Sequence, residues 1–258
     1  MRLKPGLQKL QLNREKGPFP DRYPFNLPAL RQLNSLSLHP KVTYLTGENG
    51  MGKSTLIEAI AVASGFNAEG GSKNFNFSTR ASHSQLHEYI RIARGPGKFR
   101  TGFFLRSESF FNLATEIERL DGDDRGVVGE KGNRLIDAYG GRSLHEQSHG
   151  ESFWALFMNR FSGNGLYILD EPEAALSPTR QMAMLVRMHE LIGQQSQFII
   201  ATHSPIVMAY PSSIIYELTE NGIHKSAYTE TKNYMITKQF LNNHKGMLGA
   251  LLNEEKTD

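Results

Sequence analysis

"KVTYLTGENGMGKSTLIEAIAVAS", residues 41–64, decides how the rest of the chain is read. It opens on "KVTYLTG" (41–47), a β-branched and aromatic run with the composition of a buried strand. It closes on "STLIEAIAVAS" (54–64), where Leu56, Ile57, Ile60 and Ala61 fall on one helical face. Between them, "GENGMGKST" fits G-x-x-x-x-G-K-[ST], with Gly47, Gly52, Lys53 and Ser54 at the fixed positions. Glycines let successive backbone N–H groups turn inward around phosphate oxygens, where a side chain would collide. The helix start adds its positive dipole end to the same anion. Residues Gly47, Glu48, Asn49, Gly50, Met51, Gly52, Lys53, Ser54 and Thr55 are thus the candidate phosphate-binding loop. A glycine turn that merely joins strand to helix is the alternative, and the flanking strand and helix argue against it.

Two further stretches place chemistry on the same rim. "GLYILDEPEAALSP" (165–178) is an apolar strand ending in Asp170 and Glu171. Strands buried on both faces carry ligand-binding residues at their carboxyl ends. Asp170 is the candidate Mg²⁺ residue together with the Ser54 hydroxyl, and Glu171 the candidate general base for a water attacking a γ-phosphate. Read alone, the pair is equally two solvated acids before Pro172. "QFIIATHSP" puts His203 at the end of another apolar strand, 33 residues after Asp170, room for one helical crossover. A lone strand-end histidine is more often structural; beside the other two motifs it becomes a candidate phosphate sensor.

Phosphate loop, strand ending in Asp-Glu-Pro and strand ending in Thr-His together resemble the ATP-binding-cassette (ABC) ATPase superfamily. The resemblance covers most of residues 40–210 and implies a P-loop α/β fold with a largely parallel central sheet. It also implies a helical arm carrying the family's signature, usually Leu-Ser-Gly-Gly-Gln. "SLHEQSHGESFWALFMNRF" (143–161) holds the counterpart "QSHGES": Ser148 lies 22 residues before Asp170 and 95 after Lys53. Ser148, Gly150 and Glu151 fall on Ser, the second Gly and Gln, while His149 replaces the first Gly. A simple helix cap is the alternative reading. "AALSP" (174–178) is similar to the D-loop, and Glu108 in "FFLRSESFF" falls loosely where the Q-loop glutamine would stand, a weak third metal candidate. For the aromatic that stacks on adenine, Tyr23 and Phe25 are both candidates, with ordinary packing an equal alternative.

The resemblance implies ATP and Mg²⁺ as ligands, with Lys53, Glu171 and His203 in the catalytic roles. It also implies a head-to-tail homodimer in which each phosphate loop faces the other copy's signature. Glu173 looks more like stand-alone and SMC-like branches than like transporters. A stand-alone cytoplasmic ATPase is therefore the reading. A transporter subunit with a separate membrane chain and a non-hydrolysing nucleotide sensor stay open, as does an unidentified protein partner.

Bulk properties bound the rest. The 258 residues hold 29 basic and 26 acidic side chains, a net charge of +3 that does not point to nucleic acid, which stays open as a partner. With no cysteine, disulfides, thiol catalysis and Cys-ligated metals are excluded. No apolar run of about 18 residues is present, so no direct membrane insertion is expected. The chain reads as one domain, 1–258, with about 66–160 as an inserted helical arm. Residues 1–40 read as proline-rich and irregular, and "QLHEYIRIARG" suits helix and strand equally. "SIIYELTENGIHKSAYT" reads as a hairpin turning at "ENG", and 231–253 as two short helices. His83 and His87 are spaced i, i+4, yet without a third ligand in sequence they do not make a metal site. "RIARGPGKFR" (91–100) reads as a solvated basic loop.

Overall fold

A computed structural model describes residues 6–13, 21–72, 84–107, 115 and 148–252. Its centre is a six-stranded sheet. The strands are β3 (Val42–Gly47), β5 (Thr101–Arg106), β6 (Gly165–Asp170), β7 (Gln197–Ala201), β8 (Ile214–Thr219) and β9 (Gly222–Ser226), in the order β5-β6-β7-β3-β8-β9. The first five run parallel and β9 closes the edge antiparallel. All residues of β3 and β6 are buried, as continuous apolar runs between two covering layers must be.

Alternate residues of β6 feed two cores. Tyr167 and Leu169 face one layer with α4 (Pro178–Gly193), while Leu166 and Ile168 face the other with α2 (Lys53–Ala63). On α2, Leu56, Ile57 and Ile60 are fully buried, each contributing about 1.5–3 kcal/mol by removal from water. The helix α3 (His149–Arg160) belongs to the first core. Its Phe153, Leu156 and Phe157 are fully buried, and the stack continues through Phe161 onto Tyr167, 4.1 Å away and nearly coplanar.

A second, antiparallel sheet in the order β2-β1-β4 comprises β1 (Leu7–Leu12), β2 (Ser35–Ser37) and β4 (Ile90–Arg94). Buried Gln197 joins it to the main sheet, accepting from the Leu7 N–H at 2.8 Å and donating to the carbonyls of Leu7 and His39 at 2.8 Å each. The amide is thereby satisfied where an unpaired polar group would be costly.

Three expectations change. The first forty residues are not irregular throughout, because Leu7, Leu10 and Leu12 supply the buried face of β1 and a short helix α1 (Pro28–Arg31) follows. "QLHEYIRIARG" is helical and extended in turn: Ser84 caps a 3₁₀ turn over Gln85–Tyr89, and the chain then enters β4. The stretch 66–160 is no single helical arm. It contributes β4 and β5 to two sheets and α3 to the core, while residues 108–147, except 115, lie outside the described residues. The C-terminal hairpin β8–β9 turns through Glu220 and Asn221. Two helices follow, α5 (Lys232–Asn242) and α6 (His244–Leu251), neither with a buried residue. Among the described residues no helix is long and apolar enough to cross a membrane.

Candidate functional site

The loop between β3 and α2 wraps a turn in which Gly50 and Gly52 hold φ of 80° and 94°. Side chains disfavour these left-handed values, so glycine sets the curvature. Lys53 folds back over the loop, its ammonium donating to the carbonyls of Gly47 and Glu48 at 2.9 Å each. Burial holds this ammonium below the usual lysine range, against the pull of Glu171, Asp170 and Glu173.

β-Sheet register delivers the acids and the histidine to one edge. Asp170 ends β6 beside Ala201, which ends β7, so Glu171 and His203 leave the same rim one and two residues later. The Ser54 hydroxyl donates to Asp170 Oδ1 at 3.3 Å. Glu171 adopts a left-handed backbone, φ 51° and ψ 53°. Such strain in a non-glycine residue persists only where its surroundings fix it. Here its N–H donates to the Ala201 carbonyl at 2.9 Å, and its carbonyl accepts from the Ser107 hydroxyl at 2.7 Å. Glu171 Oε1 lies 3.3 Å from His203 Nε2, with both side chains about one-third exposed, 39% and 33%. The contact is one of proximity, since this nitrogen is buried and makes no hydrogen bond.

A cavity of about 400 Å³ opens beside the loop, lined by Asn49, Gly50, Lys53, Ser54, Thr55, Glu171 and, at its outer side, Tyr23. The Tyr23 hydroxyl is 3.2 Å from Thr55 Oγ1. Phe25 is instead buried in the core, edge-on to Tyr89 at 5.0 Å. The structure thus separates the two aromatic candidates, placing only Tyr23 at the cavity.

Ser148 caps α3 through a capping box. Its N–H and hydroxyl donate to Glu151 Oε2 at 3.0 and 2.7 Å, and the Glu151 N–H returns to Ser148 Oγ at 3.4 Å. Ser152 Oγ donates to the Ser148 carbonyl. A Cβ on Gly150 would sit 2.4 Å from the Ala175 carbonyl oxygen, so this position of the helix start closes directly on the segment after β6. The His149 side chain, Glu108 and His83 lie outside the described residues. His87 bonds the Ser84 carbonyl through Nδ1. No group of three His, Asp or Glu side chains suited to a metal occurs among the described residues.

Sequence reasoning gave no site role to Ser107, Glu173 or Asn233. Glu173 Oε1 accepts from the backbone N–H groups of His203 and Ser204 at 2.6 and 3.3 Å. Asn233 Nδ2 donates to the His203 carbonyl at 3.0 Å and to Thr46 Oγ1 at 3.2 Å. No motif signals these contacts, because each partner comes from a distant part of the chain.

Two family models match the chain, an "AAA domain" over residues 25–141 and "AAA domain, putative AbiEii toxin, Type IV TA system" over 137–209. No curated protein sequence matches. Among solved structures, the chain is similar to "an inward-facing conformation of a putative metal-chelate type ABC transporter": TM-score 0.52, 16% identity, covering 92% of this chain and 88% of that one. An ATP-binding cassette of an ABC transporter in its ADP conformation gives TM-score 0.48 and 19% identity over 95% of this chain and 100% of that one. The SMC head domain from Thermotoga maritima gives TM-score 0.41 and 16% identity over 88% and 98%.

Proposed function

We propose, for a chain whose fold is that of an ABC-type ATPase, that it binds ATP with Mg²⁺ and hydrolyses it as a head-to-tail homodimer. The observation that carries this reading is the convergence of Lys53, Asp170, Glu171 and His203 on one rim, with Glu171 Oε1 3.3 Å from His203 Nε2. The donor set fits magnesium: the Ser54 hydroxyl and the Asp170 carboxylate are hard oxygens already within 3.3 Å of one another. When bound there, the ion neutralises phosphate charge.

The chain's own residues do the remaining work. Lys53 exchanges the Gly47 and Glu48 carbonyls for β- and γ-phosphate oxygens, whose charge it matches better than two neutral acceptors do. Glu171 takes the proton of the attacking water as the γ-phosphorus bond to the bridging oxygen breaks. His203 faces the γ-phosphate beside it. Catalysis is then positioning plus electrostatics. The second copy supplies Ser148 and the start of α3 to the γ-phosphate, and nucleotide binding and loss close and open the pair.

We read the protein as a stand-alone cytoplasmic enzyme. Glu173 in "DEPE" and the toxin–antitoxin description of the model over 137–209 support this over a transporter subunit. Purified wild-type chain is expected to release phosphate from Mg·ATP. Glu171→Gln is expected to keep nucleotide affinity while turnover drops by about 10²–10⁴-fold, the usual worth of a positioned base. Wild-type turnover in Glu171→Gln would remove Glu171 from the mechanism, and no turnover in the wild type would leave nucleotide binding without hydrolysis.

A further inference from the structure

We infer that Glu173 and Asn233 are positioning residues that grip the backbone of His203 from both sides, so that its imidazole is presented to Glu171. The inference rests on the hydrolytic reading above. His203 follows β7 directly, on a segment that leaves the sheet after Ala201. A loop residue of this kind needs its backbone fixed if its side chain is to meet a phosphate within a few tenths of an ångström.

Each polar group of the His203 backbone has one named partner. Its N–H donates to Glu173 Oε1 at 2.6 Å, a short, charge-assisted bond that the Ser204 N–H shares at 3.3 Å. Its carbonyl accepts from Asn233 Nδ2 at 3.0 Å. The other Glu173 oxygen is buried and makes no hydrogen bond, so the hydrogen bonding of this carboxylate goes to the histidine loop alone.

Both grips are themselves anchored to the nucleotide site. Glu173 sits in the 3₁₀ turn Pro172–Ala175 that begins after Glu171, so base and histidine share one frame. Asn233 Nδ2 also donates to Thr46 Oγ1, one residue before the phosphate loop. Its helix is pinned at that end: Lys232 bonds Glu48 through its ammonium and Glu217 through its N–H. A third brace comes from Ser204, whose hydroxyl donates to Gln181 Oε1 at 2.6 Å on α4. The His203 imidazole is the part of this assembly without a hydrogen bond at Nε2. The backbone is held, and Nε2 is buried against Glu171 with its hydrogen-bonding capacity unspent. A phosphate oxygen that reached it would find a partner without a bond to break.

The test uses the full chain with Mg·ATP and four variants: Glu173→Ala, Glu173→Gln, Asn233→Ala and the double alanine variant. Glu173→Ala and Asn233→Ala are each expected to lower kcat by about 10- to 100-fold, the scale of an ångström-level misplacement, with KM and fluorescent-ATP affinity within about twofold. Glu173→Gln keeps an acceptor oxygen at the same reach without the charge and is expected to recover part of that loss. A carboxylate acting by charge would leave Gln as impaired as Ala. The double variant should lose less than the product of the single losses, because both act on one backbone segment. Amide exchange at His203 and Ser204 should rise in Glu173→Ala with the melting temperature unchanged. Full multiplicative loss, equal impairment of Gln and Ala, or unchanged exchange at those two amides would each overturn the grip. The exchange measurement decides it even if the wild type fails to hydrolyse ATP, so the two readings fail separately.

Discussion

Glu151 occupies, with its own carboxylate, the place where the proposed dimer requires a phosphate. It accepts both the N–H and the hydroxyl of Ser148, so the helix start is already neutralised by a side chain of its own first turn. A γ-phosphate from a second copy must displace that carboxylate and then sit near it. Glu151→Gln keeps the reach and removes the charge. Losing a helix-terminal carboxylate costs the helix about 0.3–1 kcal/mol. The ATP concentration for half-maximal dimer should fall by about two- to fivefold, the equivalent of about 0.4–1 kcal/mol, measured by light scattering in a Glu171→Gln background. A rise would remove α3 from the phosphate site. What could be read from sequence at this scale was local. Gly47 to Thr55 are contiguous, and Ser148 with Glu151 is an i, i+3 pair whose cap chemistry is visible in the string. Glu173 meets His203 across 30 residues and Asn233 meets it from another 30 beyond. Such contacts come from tertiary placement, which no spacing encodes.

Elements were legible in proportion to how much of their burial lay in one run. β3, β6 and β7 are buried throughout and read as strands without ambiguity, and the two helices expected over 231–253 are α5, capped by Thr231, and α6. β1 escaped because only Leu7, Leu10 and Leu12 are buried between polar neighbours, and its paired residues lie 24 to 28 and 78 to 87 positions away. Among the described residues the ties of α5 to the site come from its first turn, through Lys232 and Asn233. The exposed Lys232–Glu48 pair ties it to the phosphate loop. Lys232 holds the Glu48 carboxyl below the usual range, and Glu48 in turn raises the Lys232 ammonium above its own. The contact's stabilisation is therefore complete at neutral pH. It is lost as pH falls through the lowered Glu48 value and, at the other end, as pH rises through the raised Lys232 value. Being exposed, the pair is also screened by salt. The difference in melting temperature between wild type and Lys232→Ala should be small, largest near neutral pH in dilute buffer, and absent in strong acid or molar salt. A difference that persisted in molar salt would mean that the lysine acts through packing.

At the scale of the molecule, the proposed head-to-tail pairing makes the site one that two chains complete. The rim of the main sheet brings Lys53, Ser54, Asp170, Glu171 and His203 together, while α3 is locked into its own core by Phe153, Leu156 and Phe157. Truncating one such aromatic costs about 3–5 kcal/mol, far more than helix-cap energies, so α3 does not leave its seat to reach the phosphate loop of its own chain. Gly150 points the same way, with no room for even a methyl group against the Ala175 carbonyl. If the helix start is to meet a γ-phosphate, that phosphate comes from a second copy brought face to face. Ser148→Arg tests this without touching the nucleotide loop. The serine is exposed, so arginine there meets no core, and its length fills the space a partner's phosphate would take. It removes the cap of α3, about 0.5–2 kcal/mol, which the buried face of the helix outweighs. In a Glu171→Gln background, which holds ATP unhydrolysed, light scattering should find the parent chain as a dimer with ATP and a monomer without it. Ser148→Arg should stay monomeric at every ATP concentration, while fluorescent-ATP binding to the monomer matches the parent within about twofold. Dimer formation by Ser148→Arg at the parent's ATP midpoint would place the interface elsewhere. Loss of ATP binding would show instead that α3 serves the nucleotide of its own chain.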